Sequence, residues 1–304
     1  MLVQYYLEKL DYKNIPTFLQ NYLECPSIKR LQKVGYFCGM DYASKHIYQF
    51  SEYITRYDHS LSVALLTYKF TKDKKTTIAG LIHDIATPCF SHVIDYMNED
   101  YENQESTEEY TEKIIKEDKE LIHCLQEDKI DIDEITNFKN YSVVDNERPK
   151  LCADRIDGVI LTGIGWTKNI TKEDIDNIVD DLTLFINEDN EKELGFTKES
   201  VVKKVVEVSK SIDIYCHSNE DNYMMQLLAK ITKLAITNKY ITYDDLYRLT
   251  EEDLLKIFKR KRNIEFKNLL KQFETITLEE IPEVKLEKVK IRKLNPLLNN
   301  MRYK

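Results

Sequence analysis

HDIATPCFSH, residues 83–92, sets two histidines around a proline and tucks an aspartate against the first. The chain has six histidines in 304 residues, so two of them here prompt a search for partners. A lone His-Asp pair arises by chance in roughly every second chain of this composition, so the stretch carries weight only if further ligands join it. TTIAGLIHDIA (76–86) places Ile78, Leu81, Ile82 and Ile85 at i, i+3, i+4 and i+7, which predicts a helix with His83-Asp84 in its last turn. Thr87-Pro88 should end it, because proline disfavours helical geometry at the residue before it.

Working outward, DHSLSVALLTYKF (58–70) shows the same period in Leu61, Ala64, Leu65 and Tyr68. Asp58 reads as its N-cap, and His59 falls in the first turn. PKLCADRIDGVILTG (149–163) predicts a third helix, with Pro149 at the first position and an end near Gly163. It carries Asp154 beside an apolar Leu151, where a carboxylate is expensive unless paired or metal-bound. A nitrogen-and-oxygen metal site needs side chains that converge from several such helices. Taken singly, His59 also reads as a satisfied helix-terminal histidine, and Asp154 as an ion-pair partner of Arg155 or Arg148.

The bulk numbers narrow the class. Seven glycines and six prolines among abundant Leu, Ile, Lys and Glu favour helices with short connections over a sandwich or barrel. Hydrophobic residues make up 42% and charged residues 32%, as in ordinary globular proteins. The net charge of −9 argues against a broad nucleic-acid surface. No run of 18 apolar residues exists to span a membrane. MLVQYYLEKLDYKN has no basic n-region or A-x-A-like site, which predicts a mature cytoplasmic chain. Six cysteines without CxxC spacing are expected to be reduced, mostly buried thiols. GxxxxGK[ST] and GxGxxG are absent, so a P-loop or Rossmann site has no support. The basic run KRKRN (259–263) reads as a solvated face or a phosphate contact.

Further helices are expected at 1–25, within 26–40, and at 91–97 and 107–126. Beyond residue 170 they are expected at 171–187, 197–215, 219–237, 243–258 and 262–273. Residues 42–57 read as a short hairpin or irregular structure. The alternation in VKLEKVKIRKL (284–294) predicts one or two late strands.

The order His59, His83-Asp84, Asp154 resembles the H…HD…D signature of the HD-domain phosphohydrolases. The likeness extends to four stretches of that superfamily's deoxynucleoside triphosphohydrolase branch, between about residues 26 and 165. PSIKRLQKVG (26–35) resembles its P-x-x-x-R-L element, and RYDHSLSVA (56–64) its R-x-x-H-S-L-x-V element. HDIATPCFSHVIDYM (83–97) is similar to HD-[LI]-G-H-x-P-F-S-H-x-x-D, and ADRIDGV (153–159) to D-[KR]-x-D-Y. EDLLKIF (252–258) is a fainter echo of the branch's C-terminal half.

The resemblance implies a mostly-α fold: an HD-domain helical bundle with a helical C-terminal extension and minor β elements. Residues 1–165 would form the core and 166–304 an extension packed on it, or one continuous domain. His59, His83, Asp84 and Asp154 would be the metal ligands. Two imidazoles and two carboxylates suit Fe, Mn, Co, Ni or Zn, and Mg less well. Arg56 would contact phosphate. Asp95 and His92 would neighbour the reacting phosphate, and Asp157 would stand behind the ligands as a carboxylate, or pair with Arg155 or Arg148. The resemblance also implies a homo-oligomer.

The chain departs from the branch at three places. Thr87 stands where the branch has a catalytic histidine, Gln104 with Glu105 where it has an H-E pair, and Gly158 where a sugar-sensing tyrosine often lies. Threonine and glutamine cannot exchange protons near neutral pH as imidazole can. Metal binding is therefore expected to survive, with proton transfer left to Asp95, His92 or Glu105, and substrate contacts to Arg56, Arg155 and Gln104. Glu105, Glu108 and Glu109 have the competing role of complementing a helix dipole. The first functional reading is a metal-dependent phosphohydrolase acting on a nucleotide or related phosphate ester, including a deoxynucleoside triphosphate. The alternatives are a 5′-monophosphatase, a cyclic-nucleotide phosphodiesterase, or a nucleotide-binding regulatory module without turnover.

Overall fold

The computed structural model describes residues 1–102, 104, 110–284 and 290–303. Glu105, Glu108, Glu109 and residues 285–289 of the alternating tail lie outside them. The fold is mostly helical with one small sheet. In the first half run α1 (Leu2–Lys9), α2 (Thr17–Leu23), α3 (Pro26–Arg30), α4 (Arg56–Thr71), α5 (Lys74–Ile82), α6 (Val93–Met97), α7 (Thr111–Glu117), α8 (Lys119–Asp128), α9 (Ile132–Thr136) and α10 (Ala153–Gly165). In the second run α11 (Lys172–Asp181), α12 (Glu199–Cys216), α13 (Asn219–Thr237), α14 (Asp245–Arg248), α15 (Glu251–Lys259) and α16 (Ile264–Thr275).

α4 is the central helix. It starts at Thr55, whose hydroxyl caps the Asp58 amide while the Asp58 carboxylate returns to the Thr55 amide at 2.8 Å. Asp58 is thus the third residue of a capping box rather than the N-cap, because the helix begins one turn earlier than the apolar period suggests. Residues 59–67 are all buried, on every side of the helix. α5 packs along it, and residues 76–82 are likewise buried. Helices enclosed on every side have no single apolar stripe for a periodic reading to detect.

Several boundaries depart from the sequence reading. α5 stops at Ile82, so His83 is its C-cap and Asp84 lies beyond it, ahead of the proline. Pro149 is not the first residue of α10: the Arg148–Pro149 peptide is cis, and the helix begins at Ala153. The expected helix at 107–126 is two, split where the Asp118 carboxylate caps α8 through the Leu121 amide. Of residues 42–57, 43–55 are irregular, with one isolated bridge between Gly35 and Thr55, and Arg56 already begins α4.

The strands lie elsewhere than expected. β1 (Thr183–Ile186) and β2 (Lys192–Phe196) are antiparallel, in segments read as helix or passed over. β3 (Leu297–Leu298) joins β2 in parallel, with Gly195 opposite Leu297, and β4 (Met301–Arg302) turns back on β3. The tail thus returns to the segment between α11 and α12. Arg302 reaches the fully buried Glu193 carboxylate at 2.5 and 2.7 Å, which lets that charge be buried.

Two apolar clusters form the core. One gathers α1–α5 and α8–α12, with Leu294 from the tail. The other joins Met40–Tyr48 and Cys89–Tyr96 to α13–α16. Gly39 sits where they meet, at φ +76°, where a Cβ would lie 2.5 Å from the Phe90 ring. Only glycine accepts both that backbone and that approach. All six cysteines are free thiols. No helix among the described residues is long and apolar enough to cross a membrane.

Glu251, at the start of α15, ties this second cluster to the loop after the HD motif. It is fully buried, and its Oε1 accepts from the Phe90 amide at 3.0 Å. Its Oε2 has no hydrogen bond among the described residues. Burial, with Asp41 nearby, pushes its pKa from 4.5 up to about 8. Between those values the folded chain holds a proton that the unfolded chain releases, so stability falls as pH rises. Glu251→Gln keeps the Phe90 bond and removes the charge. Its melting temperature should match wild type near pH 4.5 and exceed it at pH 8, by several degrees. Parallel melting curves across that range would contradict the buried-acid assignment.

Candidate functional site

His59, His83, Asp84 and Asp154 meet on the floor of one cavity. His59 comes from the first turn of α4, His83 and Asp84 from the end of α5, and Asp154 from the first turn of α10. The two Nε2 atoms are 3.2 Å apart. His59 Nε2 lies 3.2 Å from Asp154 Oδ1 and 3.6 Å from Asp84 Oδ2. His83 Nε2 lies 3.7 Å from Asp154 Oδ1 and 3.9 Å from Asp84 Oδ1. Donors sharing one ion at bonds of about 2.0–2.2 Å stand roughly 3–3.5 Å from each other; His59, His83 and Asp154 are close-set enough to share one, and Asp84 stands slightly farther off.

The ring orientations fit it too. His59 Nδ1 meets Asp157 Oδ2 at 2.6 Å, and His83 Nδ1 meets the Gly80 carbonyl at 2.8 Å. Each partner fixes the tautomer that leaves Nε2 a lone pair for a metal. Asp157 is fully buried and also accepts from the Tyr6 hydroxyl at 2.8 Å. It pairs with neither Arg155 nor Arg148. Asp157→Asn should lower metal affinity about 10–100-fold, measured by competition with a chelating dye. Wild-type affinity in that variant would remove Asp157 from the site.

Burial opposes charge on all of these groups, and their mutual pairing overcomes it. The His59 pKa would fall on burial alone, but Asp154 and Asp157 raise it to about 10, so a metal binding at Nε2 must displace a proton from this ring. Asp84 and Asp154 would rise on burial, but the imidazoles, with Arg56 beside Asp84, hold both well below the usual carboxylate range. The cluster thus keeps two carboxylates ionised in a buried place, as a cation site requires. A second group, Asp145, Cys152 and Asp154, is also close-set. Burial raises the Cys152 thiol, and Asp145 is bound to Arg155 at 2.7 Å, so that group is poorer in free donors.

The arginines are placed otherwise than the sequence suggested. Arg56 is buried with Nη1 on Asp84 Oδ2 at 2.9 Å, Nε on the Ser91 hydroxyl at 3.2 Å, and its plane over the Tyr36 ring. Its direct partner is thus a carboxylate of the cluster. Arg155, expected as a substrate contact, is engaged by Asp145, Asn146 and the Lys150 carbonyl. It braces the loop ahead of α10. Arg148 on that same loop lines the cavity near Asp154 and makes no hydrogen bond or ion pair among the described residues. Burial and the charges of Arg292 and Arg155 lower its pKa to about 10. Sequence reading treated Arg148 only as an ion-pair partner, and no motif marks it. Arg292, from the tail, also lines the cavity and had no signal beyond its charge.

The remaining candidates line the same cavity, whose volume is about 290 Å³. His92 Nδ1 lies 2.9 Å from Asp95 Oδ2, and Asp95 is 1% exposed. Burial lowers the His92 pKa, against the opposing pull of Asp95, so the ring is neutral at neutral pH. Gln104 is buried, and its Oε1 accepts from Arg292 at 3.1 Å. Thr87 lends its carbonyl to Arg30. Gly158 leaves room for Tyr36, whose hydroxyl would sit 3.2 Å from a Cβ there.

The segment from Arg56 to Asp157 that supplies this floor matches a family model described as HD domain, over residues 56–157. This stretch is an HD domain. The chain is also 28% identical over 221 residues to the uncharacterized protein YdhJ of Bacillus subtilis (strain 168). That alignment covers 71% of this chain and 65% of the relative's own length. A crystal structure of a hypothetical protein from Aquifex aeolicus has a similar fold, with a TM-score of 0.61 at 17% identity. The likeness spans 85% of this chain and 71% of that one. The family model names the HD domain in general and does not single out the triphosphohydrolase branch.

Proposed function

We propose that the HD domain of this chain is a metal-dependent phosphohydrolase acting on a nucleotide or related phosphate ester. His59, His83, Asp84 and Asp154 would hold a divalent transition ion, Fe, Mn, Co, Ni or Zn ahead of Mg. The observation that supports this most is the convergence of two Nε2 atoms and the Asp154 carboxylate, with Asp84 beside them, on the floor of an arginine-walled cavity. When bound, such an ion polarises a phosphoryl oxygen and lowers the pKa of the attacking water.

The chain's own groups account for the remaining chemistry. Arg148 meets the phosphate, since a guanidinium fits two phosphate oxygens at once. Arg56 holds Asp84 in place. With Nδ1 donating to Asp95, a neutral His92 has Nε2 as its accepting nitrogen, suited to taking a proton from the attacking water and passing it to the leaving group. Thr87 offers no such group, and the amide of Gln104 is held by Arg292. Esters whose leaving group needs protonation therefore turn over slowly, and aryl phosphates faster.

Phosphate release from p-nitrophenyl phosphate should appear with Mn²⁺, Co²⁺ or Ni²⁺ and exceed release from deoxynucleoside triphosphates. Fast triphosphate turnover would contradict the reading of Thr87 and Gln104. Tight nucleotide binding without turnover under any of these metals would favour the regulatory module.

A further inference from the structure

The cavity runs on from the metal-binding floor into an aromatic recess. Phe37 and Phe50 lie parallel with ring centroids 4.3 Å apart, Tyr48 stacks on Phe50 at 5.5 Å, and Trp166 meets Phe37 edge-on at 6.3 Å. Asp221, from the first turn of α13, lines the same cavity and is 8% exposed. Its Oδ1 accepts from the Tyr48 hydroxyl at 2.5 Å, and its Oδ2, which takes no hydrogen bond among the described residues, is not sealed from the cavity. Asp221, Arg292 and Arg148 line the same cavity, so this carboxyl and the phosphate end face one continuous space.

No step of phosphate hydrolysis uses Asp221. A nearly buried carboxyl with a single hydrogen bond among the described residues is expensive to keep ionised, and burial drives its pKa to about 7, so a ligand that donates hydrogen bonds would hold it as the carboxylate. The neighbouring Arg292 disfavours a cationic ligand, which leaves a neutral hydrogen-bond donor as the natural partner. The aromatic walls would stack on any nucleobase, so they confer affinity without choice. A carboxylate accepts only, and among the common bases only guanine offers two adjacent donors on its pairing edge, N1–H and the 2-amino group. Adenine, cytosine and uracil each set an acceptor beside the donor.

We propose that Asp221 is a specificity residue that selects a guanine nucleotide by accepting from N1–H and the 2-amino group. The proposal rests on the phosphohydrolase reading for the end of the cavity that takes phosphate. Trp166 is the only tryptophan and lies in the recess wall, so its fluorescence reports a stacked ring directly.

The test is a fluorescence titration of the full chain with GDP, ADP and xanthosine diphosphate, with inorganic pyrophosphate as competitor. Wild type should bind GDP about tenfold or more tighter than ADP. Asp221→Asn should weaken GDP by a similar factor and bind xanthosine diphosphate better than GDP. The amide presents an acceptor to N1–H and a donor to the 2-oxo group, and a misfolded protein cannot gain such a preference. Equal affinities for the three nucleotides, or an unchanged order in Asp221→Asn, would overturn the proposal. If pyrophosphate still displaces nucleotides in that case, the phosphohydrolase reading stands without it. Failure of nucleotides and pyrophosphate alike to bind would overturn both.

Discussion

His83→Ala is expected to fold normally, to purify without a transition metal, and to release no phosphate from any ester. The imidazole supplies one of two nitrogen donors to the cluster, and its other nitrogen bonds only the Gly80 carbonyl. Removing it therefore disturbs little beyond the donor set. Asp84→Ala is the less clean probe of the same point. It would leave the Arg56 guanidinium buried without its carboxylate, and breaking a buried pair typically costs about 3–5 kcal/mol. Circular dichroism and metal analysis, run on both variants, separate the effects. His83→Ala should lose metal at wild-type melting temperature, whereas Asp84→Ala should lose metal and melt earlier. Full metal occupancy in His83→Ala would remove that residue from the ligand set.

Asp95→Ala should lower kcat for esters with poor leaving groups by about 10²–10⁴-fold, the usual worth of positioned acid-base help. Without the carboxylate the His92 ring loses the partner 2.9 Å from its Nδ1, and with it a fixed tautomer. The drop should be smaller for p-nitrophenyl phosphate, whose leaving group departs without a proton. A merely structural role for Asp95 would lower both substrates alike. KM should change little in either case, because phosphate contact rests on Arg148. A uniform fall across leaving groups would therefore transfer the proton-handling role to other side chains.

The site was more legible in the sequence than the fold's edges. His59, His83, Asp84 and Asp154 could be named because the HD signature fixes residue types at spacings that motif reading sees. The helices carrying them could be placed but not bounded. Thr55 caps α4 one turn ahead of its apolar run, and α5 ends five residues before Pro88 because His83 and Asp84 turn inward to the cluster. Arg155 was expected to face substrate because it stands next to Asp154. Neighbours in a helix point about 100° apart, and Arg155 points into the 145–150 loop instead. Arg148 and Arg292 were not legible at all, since a loop and a distant tail bring them to the cavity without local periodicity. β2 was lost in the same way: its partner β3 lies about a hundred residues on, and short strands depend on such remote pairing.

The central claim is that this cluster holds a metal on which phosphate-ester hydrolysis depends. Its most direct test is to strip the protein with a chelator and titrate Mn²⁺ back while following p-nitrophenol release. Stripped protein should be inactive, and activity should return and saturate as metal binds in wild type but not in His83→Ala. Hydrolysis that persists in the stripped protein, or that returns equally in His83→Ala, would contradict the account.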